Sequence, residues 1–257
     1  MDRRDFLLKS AVFLGGTLAG LNGFSKALAA GFTRDAPPYP PRVAIIIDDI
    51  GYSPSRAREF LELEVPITFA VLPRLAHSRR LAVEIHERGR EVMLHQPMEP
   101  LDPHIDPGPG ALYVGDDPGK IIDTVEQNIG EIPYAAGVNN HMGSRFTACG
   151  RGMAEVLEVV EKKALFFVDS LTSSRSTAYR TARRLHMPAA RRNIFLDNVP
   201  HEPAVLARLA RLKRHALKHG RAVGIGHPFP ETAAAIRLFL GNGGDAGISL
   251  VPVSGIL

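Results

Sequence analysis

The chain has 257 residues, 45% of them hydrophobic and 23% charged, with 24 Gly and 20 Pro. This composition excludes a disordered, collagen-like or coiled-coil chain, and its length suffices for a core in one large domain or two small ones. A single cysteine, Cys149, excludes an internal disulfide, and a formal charge of +4 raises the question of an anionic partner.

The first residues read as an address. Arg3-Arg4 stands ahead of Phe6-Leu7, a moderately apolar run with Gly15, Gly16, Gly20 and Gly23 follows, and Ala27-Leu28-Ala29 supplies small residues suited to signal cleavage. The segment is similar to a twin-arginine export signal, although Asp2 stands where Ser or Thr is usual. Its glycines make a weak spanning helix. The expectation is a cleaved signal over residues 1–29, passage through the twin-arginine machinery to the periplasm or beyond, and no stable membrane span afterwards. Cleavage removes four basic residues (Arg3, Arg4, Lys9, Lys26) and two acidic ones (Asp2, Asp5), leaving +2. With no Trp and 7% aromatics, that charge argues against a nucleic-acid partner. Residues 30–41, rich in proline, read as an extended lead-in, and residues 42–257 as a single domain.

From Arg42 onward, short apolar runs alternate with longer amphipathic stretches. The pattern predicts strands over 43–47, 67–72, 91–94, 135–140, 165–168, 193–196, 222–225 and 248–253. Between them it predicts helices over 54–64, 76–88, 118–130, 151–163, 174–186, 203–219 and 232–240. Ser53-Pro54 and Glu202-Pro203 look like helix starts, while Gly89 and Gly220 sit at helix stops. Repeated βα units imply a parallel sheet with helices outside.

Polar residues end the strands: Asp48-Asp49, His95, His141, Asp169, Asp197 and His227, with Pro73 after the second. In a β/α barrel such positions converge on one mouth, and in an open doubly wound sheet on one crevice. Seven contributing strands favour the closed or nearly closed form.

Two adjacent carboxylates, Asp48 and Asp49, repel at the end of a buried strand unless a cation or a shared proton relieves them; helix capping needs only one. His95 beside a carboxylate suits zinc or a similar divalent ion, and Glu99 is a further ligand, a partner of one, or a solvated loop charge. Asn139, Asn140, His141 and Ser144 are costly to bury without partners, which makes Asn140 and Ser144 candidates for substrate contacts. His227 has the chemistry of a general acid, and Asp169 or Asp197 could tune it or merely cap helices. Arg74 and Arg145 are the basic residues that a phosphoesterase would want at the mouth, whereas Arg191-Arg192 is expected at the opposite end. No nucleophile elbow and no Gly-rich phosphate loop is present.

Five stretches carry a resemblance: Ile45-Ile-Ile-Asp-Asp-Ile-Gly51, Thr68-Phe-Ala-Val-Leu-Pro73, Glu91-Val-Met-Leu-His-Gln-Pro-Met-Glu99, Asn139-Asn-His-Met-Gly-Ser144 and Gly226-His-Pro228. In this order they resemble the divergent polysaccharide deacetylases, relatives of metal-dependent carbohydrate esterases. The resemblance implies an α/β fold, a deformed β/α barrel of about seven parallel strands, and hydrolysis of acetyl groups on a carbohydrate polymer of the cell envelope or exterior. It implies a divalent metal, zinc by preference, held by Asp49, His95 and His141. The mainstream pattern has a second His four residues after the first, where this chain has Glu99, so Glu99 competes with His141 as third ligand. It further implies Asp48 as general base, His227 as the acid that protonates the leaving group, and Asp169 as a residue that tunes His227 or touches substrate. The departure at Glu99 also suits a second reading, a catalytically inactive carbohydrate-binding or regulatory envelope protein on the same fold.

Overall fold

In the computed structural model, residues 40–257 are described; the expected signal, and all but the end of the Pro-rich lead-in, lie outside the described residues. Nine strands are hydrogen-bonded in parallel: β1 (Arg42–Ile50), β2 (Ile67–Val71), β3 (Glu91–Met98), β4 (Ala135–Met142), β5 (Phe166–Asp169), β6 (Ala189–Arg191), β7 (Ile194–Phe195), β8 (Arg221–Gly226) and β9 (Ser249–Leu250). Among the described residues seven helices accompany them: α1 (Pro54–Leu61), α2 (Ser78–Glu87), α3 (Pro118–Glu131), α4 (Gly150–Lys162), α5 (Ala178–Arg184), α6 (Glu202–His219) and α7 (Pro230–Gly241). Their ends follow local chemistry. Ser53 and Asp117 accept the Arg56 and Lys120 N–H groups at the starts of α1 and α3, each followed by Pro, and Gly220 ends α6 at φ 81°.

The strand order is β6-β5-β4-β3-β2-β1-β8-β7, with β9 beside β1. Although β6 and β7 stand at opposite ends of that order, only Arg192 and Asn193 separate them in sequence. One extended segment therefore pairs first with β5 and then with β8, closing the sheet into a deformed barrel of seven staves. The predicted strand over 193–196 is thus the second half of a longer, jointed one. At the other end of the chain, the strand expected over 248–253 is two residues long and passes into a 3-10 turn, Val253–Gly255.

Two apolar layers follow from the period-two alternation of strands. One face packs against the helices. The other fills the barrel with Ala44 and Ile46 (β1), Ala70 (β2), Met93 (β3), Phe166 and Val168 (β5), and Val223 and Ile225 (β8), plugged from below by Val253 and Ile256. Gly137 on β4 leaves room for the Phe166 ring, which any Cβ there would strike. Counting two residues onward from these inward positions reaches Asp48, His95, Ser170 and His227; from Gly137 it reaches Asn139 and then His141. The alternation that builds the inner core delivers polar side chains to the C-terminal mouth.

Candidate metal centre and its surroundings

Asp48 continues the inward face of β1 and is almost fully buried. Asp49 would point outward if the strand stayed regular. The pairing of β1 with β2 instead slips between Ile47 and Ile50, and Asp49 takes a φ of 57°. Such an irregularity re-aims a side chain, and here it brings both carboxylates to the mouth. His95 and His141 arrive from the neighbouring strands β3 and β4.

Asp49, His95 and His141 form the one cluster among the described residues whose ligating atoms converge as a metal site does. Asp49 Oδ1 lies 3.1 Å from His95 Nε2 and 3.0 Å from His141 Nδ1, and the two nitrogens are 3.1 Å apart. Asp49 Oδ1 is nevertheless buried without a hydrogen-bond partner of adequate geometry. Three lone-pair-bearing atoms facing one another repel unless a cation or protons lie between them. Donors bound to a tetrahedral zinc ion are roughly 3.3–3.6 Å apart, so a few tenths of an ångström of outward relaxation would admit one. The donor set and the orphaned carboxylate oxygen fit a divalent cation.

The surroundings orient these donors. Asn139 Oδ1 lies 2.7 Å from His95 Nδ1, so that nitrogen donates and Nε2 turns its lone pair toward Asp49. The same amide donates from Nδ2 to Asp48 Oδ1 at 2.8 Å. Asp48 Oδ2 lies 3.6 Å from His95 Nε2. Burial pushes the Asp48 carboxyl above the usual range, further than His95 and His227 pull it down. Burial would also raise Asp49, but the two imidazoles hold it well below that range. For His95, burial opposes protonation, while Asp48 and Asp49 favour it and prevail.

His227 leaves β8 on the inward face. Its Nδ1 donates to Asp197 Oδ1 at 2.8 Å, and Asp197 Oδ2 accepts from the His227 N–H and, at 2.8 Å, from the Thr232 hydroxyl. Burial opposes the charged imidazole, yet Asp197, followed by Asp48 and Asp49, raises its pKa to about 9. Gly226 permits this approach, since a Cβ there would sit 3.1 Å from Asp197 Oδ2. The imidazole stacks on Phe195 (5.5 Å between centroids, 10° between planes), and the Arg192 guanidinium lies 4.1 Å from the centre of the same ring.

Several expected roles fall elsewhere. Asp169 follows Val168 and so faces away from the mouth: it accepts from the Leu171 and Tyr179 N–H groups and the Ser176 hydroxyl, and the partner of His227 is Asp197. Asn140 has the opposite parity to His141 and ties β4 to β5, accepting from the Ser170 N–H and donating to the Met142 carbonyl. Ser144 accepts the Leu101 N–H and anchors a loop. Glu99 is engaged by the Arg145 guanidinium and the Val114 N–H, away from the ligand cluster. Arg145 is thereby committed, and Arg74 is bonded to Asn128 and Gln127. Arg192 belongs to the mouth rather than the opposite end. It donates to the Ser170 and Leu171 carbonyls, and burial lowers its pKa further than Asp169 and Asp48 raise it. Asn139 and Arg192 are the residues that the sequence reading left without roles. Parity with His141 identifies Asn139; no local signal identifies Arg192, because Ala189-Ala190-Arg191 lacks the apolar run of a strand.

Residues 45–257 match the divergent polysaccharide deacetylase family. The uncharacterized protein YibQ of Escherichia coli K12 is 32% identical over 232 residues, which span 90% of this chain and 72% of that one. An uncharacterized Haemophilus influenzae protein is also 32% identical, over 78% of this chain and 71% of its own. Among solved structures, ATU2773 of Agrobacterium tumefaciens superposes with a TM-score of 0.81 at 28% identity, covering 86% of this chain and 91% of that one. BA3943 of Bacillus anthracis, described as a CE4 family pseudoenzyme, superposes with a TM-score of 0.51 at 15% identity over 86% of this chain and 66% of that one; it shares the fold.

Proposed function

The chain belongs to the divergent polysaccharide deacetylase family, and on that footing we propose that it is a metal-dependent hydrolase removing acetyl groups from a polysaccharide outside the cytoplasm. The observation that carries this reading is the cluster of Asp49, His95 and His141 at the ends of β1, β3 and β4, with Asp49 Oδ1 buried and unpartnered. A divalent cation there, zinc by donor type, supplies a Lewis acid and brings the pKa of water toward neutrality.

The chain's own residues supply the proton transfers. Asp48 takes the proton of the attacking water through Oδ2, since Oδ1 is held by Asn139. A carboxylate with a raised pKa is a better base than an exposed one. Asn139 fixes the His95 tautomer and the Asp48 orientation with one side chain. His227 carries a proton at neutral pH and gives it to the departing amine or alkoxide. Asp197 holds that imidazole in place and keeps it charged until then. Arg192 and Phe195 wall the side of the mouth between Ser170 and His227.

The test combines elemental analysis with acetate release from a panel of N- and O-acetylated envelope glycans. Wild type is expected to hold one divalent ion and release acetate. Asp49→Ala and His95→Ala are expected to lose both properties, and Asp48→Asn to keep the ion and lose turnover. A protein that binds the ion but releases no acetate from any substrate would instead be a non-catalytic carbohydrate-binding module. N-terminal sequencing of the exported protein tests the twin-arginine signal, with cleavage expected after Ala29.

A further inference from the structure

The near-neutral charge of the domain conceals a division. From Ser170 to Pro230 there are twelve Lys and Arg against two acidic residues, Asp197 and Glu202, a net of +10. The remaining described residues carry 14 basic and 22 acidic groups, a net of −8. Asp197 is committed to His227. Among the described residues, none of the Lys or Arg between Ser170 and Pro230 takes part in an ion pair, whereas those elsewhere include Arg56, Arg58, Arg88, Lys120, Arg145 and Lys163 in such pairs.

Part of this charge lines a gap in the helical layer. Only Arg192 and Asn193 join β6 to β7, so no helix covers that joint, and α5 and α6 flank it. A cavity of about 310 Å³ opens there, lined by Tyr179 of α5, Arg191 of β6, Asn193 of the joint, His215 and His219 of α6, and Arg221 of β8, with apolar residues behind them. Its lining contains no carboxylate. Arg191 lies over the Tyr179 ring at 5.7 Å, and Arg221 donates one guanidinium nitrogen to the Ile256 carbonyl. The rings of His215 and His219 are 4.4 Å apart. Burial first, and then His219, Arg211, Lys218 and Arg191, pull His215 below its ordinary pKa. Like charges gathered around a small concavity repel until an anion enters, and planar guanidinium groups match phosphoryl oxygens.

We propose that this cavity, bounded by Arg191, His215, His219 and Arg221 where β6 and β8 part, binds a phosphate-class oxyanion. The ligand is inorganic phosphate, a phosphomonoester, or the phosphomonoester headgroup of a lipid. The volume lies at the small end of the range for ligand pockets, which suits one phosphoryl group with little attached to it. The site is separate from the mouth and does not depend on the hydrolase reading.

The experiment titrates the full chain with inorganic phosphate by calorimetry at fixed ionic strength. A chelator is present so that no cation at Asp49 binds the phosphate. One saturable site is expected. Arg191→Gln and His219→Gln, both at exposed positions, should each weaken it about tenfold, the loss of one charge-assisted contact. Arg183→Gln, on α5 outside the lining, should change it less than about twofold, since it gives the cavity no contact of its own. Thermal melting and circular dichroism confirm that each variant is folded. A second arm floats the protein with phosphatidylcholine vesicles that contain or lack phosphatidic acid. Capture by phosphatidic acid that Arg191→Gln abolishes assigns the phosphate to a lipid headgroup. Phosphate binding without such capture assigns a soluble ligand. The proposal is overturned if neither arm shows saturable binding, or if Arg183→Gln weakens binding as much as Arg191→Gln, which would reduce the effect to the general field of the face.

Discussion

The substitution Asp197→Asn separates the charge of the His227 pair from its shape. In the wild type the imidazole is raised from 6.5 to about 9. At about 1.4 kcal/mol per tenfold, that elevation corresponds to roughly 3 kcal/mol of preference for protonated His227 in the folded state. The side chain is 24% exposed and Asp197 is wholly buried, so solvent screens the pair only partly. An asparagine can keep its oxygen where Asp197 Oδ2 accepts from the His227 N–H and Thr232, and it can donate to a neutral imidazole instead of accepting from a charged one. The loss is therefore electrostatic. A group whose folded pKa is raised contributes its stability in full below the unfolded pKa and loses it as pH climbs through the folded one. The gap between wild type and variant is thus expected to be roughly 3 kcal/mol at about pH 6, to shrink from about 6.5 to 9, and to vanish near pH 9.5. Urea unfolding at both pH values, in chelator so that no cation offsets Asp49, measures it through the midpoints at constant slope. A gap that is the same at both pH values would refute the reasoning. So would an NMR titration in which His227 keeps its pKa in the variant. Turnover should follow: the wild type should lose activity above about pH 9, and the variant should lose it near the ordinary histidine range.

Other outcomes follow from the site and its support. Equilibrium dialysis should find the divalent ion lost from Asp49→Ala and His95→Ala and retained by Glu99→Gln, which breaks only the half-exposed Arg145 pair at a cost below about 1 kcal/mol. Asn139→Ala should leave all three ligands in place yet weaken the ion by about 10–100-fold in a competition titration, because it frees the His95 tautomer. Gly137→Ala drives a methyl group into the Phe166 ring and should lower stability by about 1–3 kcal/mol in thermal melts, without altering the ligand set. Gly226→Ala should crowd Asp197 against Thr232 and lower the His227 pKa, read by the same NMR titration.

The strand–helix rhythm, the parallel sheet and the convergence of strand ends were all legible in the sequence, because buried parallel strands write themselves as continuous Val, Ile and Leu runs. The clustering of Asp49, His95 and His141 was legible too, from the resemblance to the deacetylases. Parity was the harder quantity. Asp169, beside Val168, and Asn140, beside His141, are each one residue from an inward position, and a single step sends a side chain to the opposite face. Asp49 breaks the same rule in the other direction: the slipped register and positive φ turn an outward position inward, and no local pattern announces that. The chain also spends its sixth stave on seven residues with a joint in the middle, so the first half, Ala-Ala-Arg, carries no hydrophobic signature. That joint is why Arg192 reaches the mouth although it precedes the predicted strand.

The position of β1 in the sheet has a consequence for how the protein is made. Its partners are β8 on one side and, on the other, β2 with β9 below it, so that Arg42 stands between Arg221 and Ser249. About 180 residues separate β1 from β8, and at roughly 5–20 residues per second a ribosome needs about 10–35 s to supply them. During that interval the Val-Ala-Ile-Ile-Ile strand has one bare edge and no inner core to bury into, since Val223, Ile225, Val253 and Ile256 are still to come. Closure of the barrel is therefore a late event, reached only after β8 has been made. A circular permutant that places β8 and β9 directly before β1 would remove the wait, and less aggregation of the newly synthesised protein is the expected sign of it.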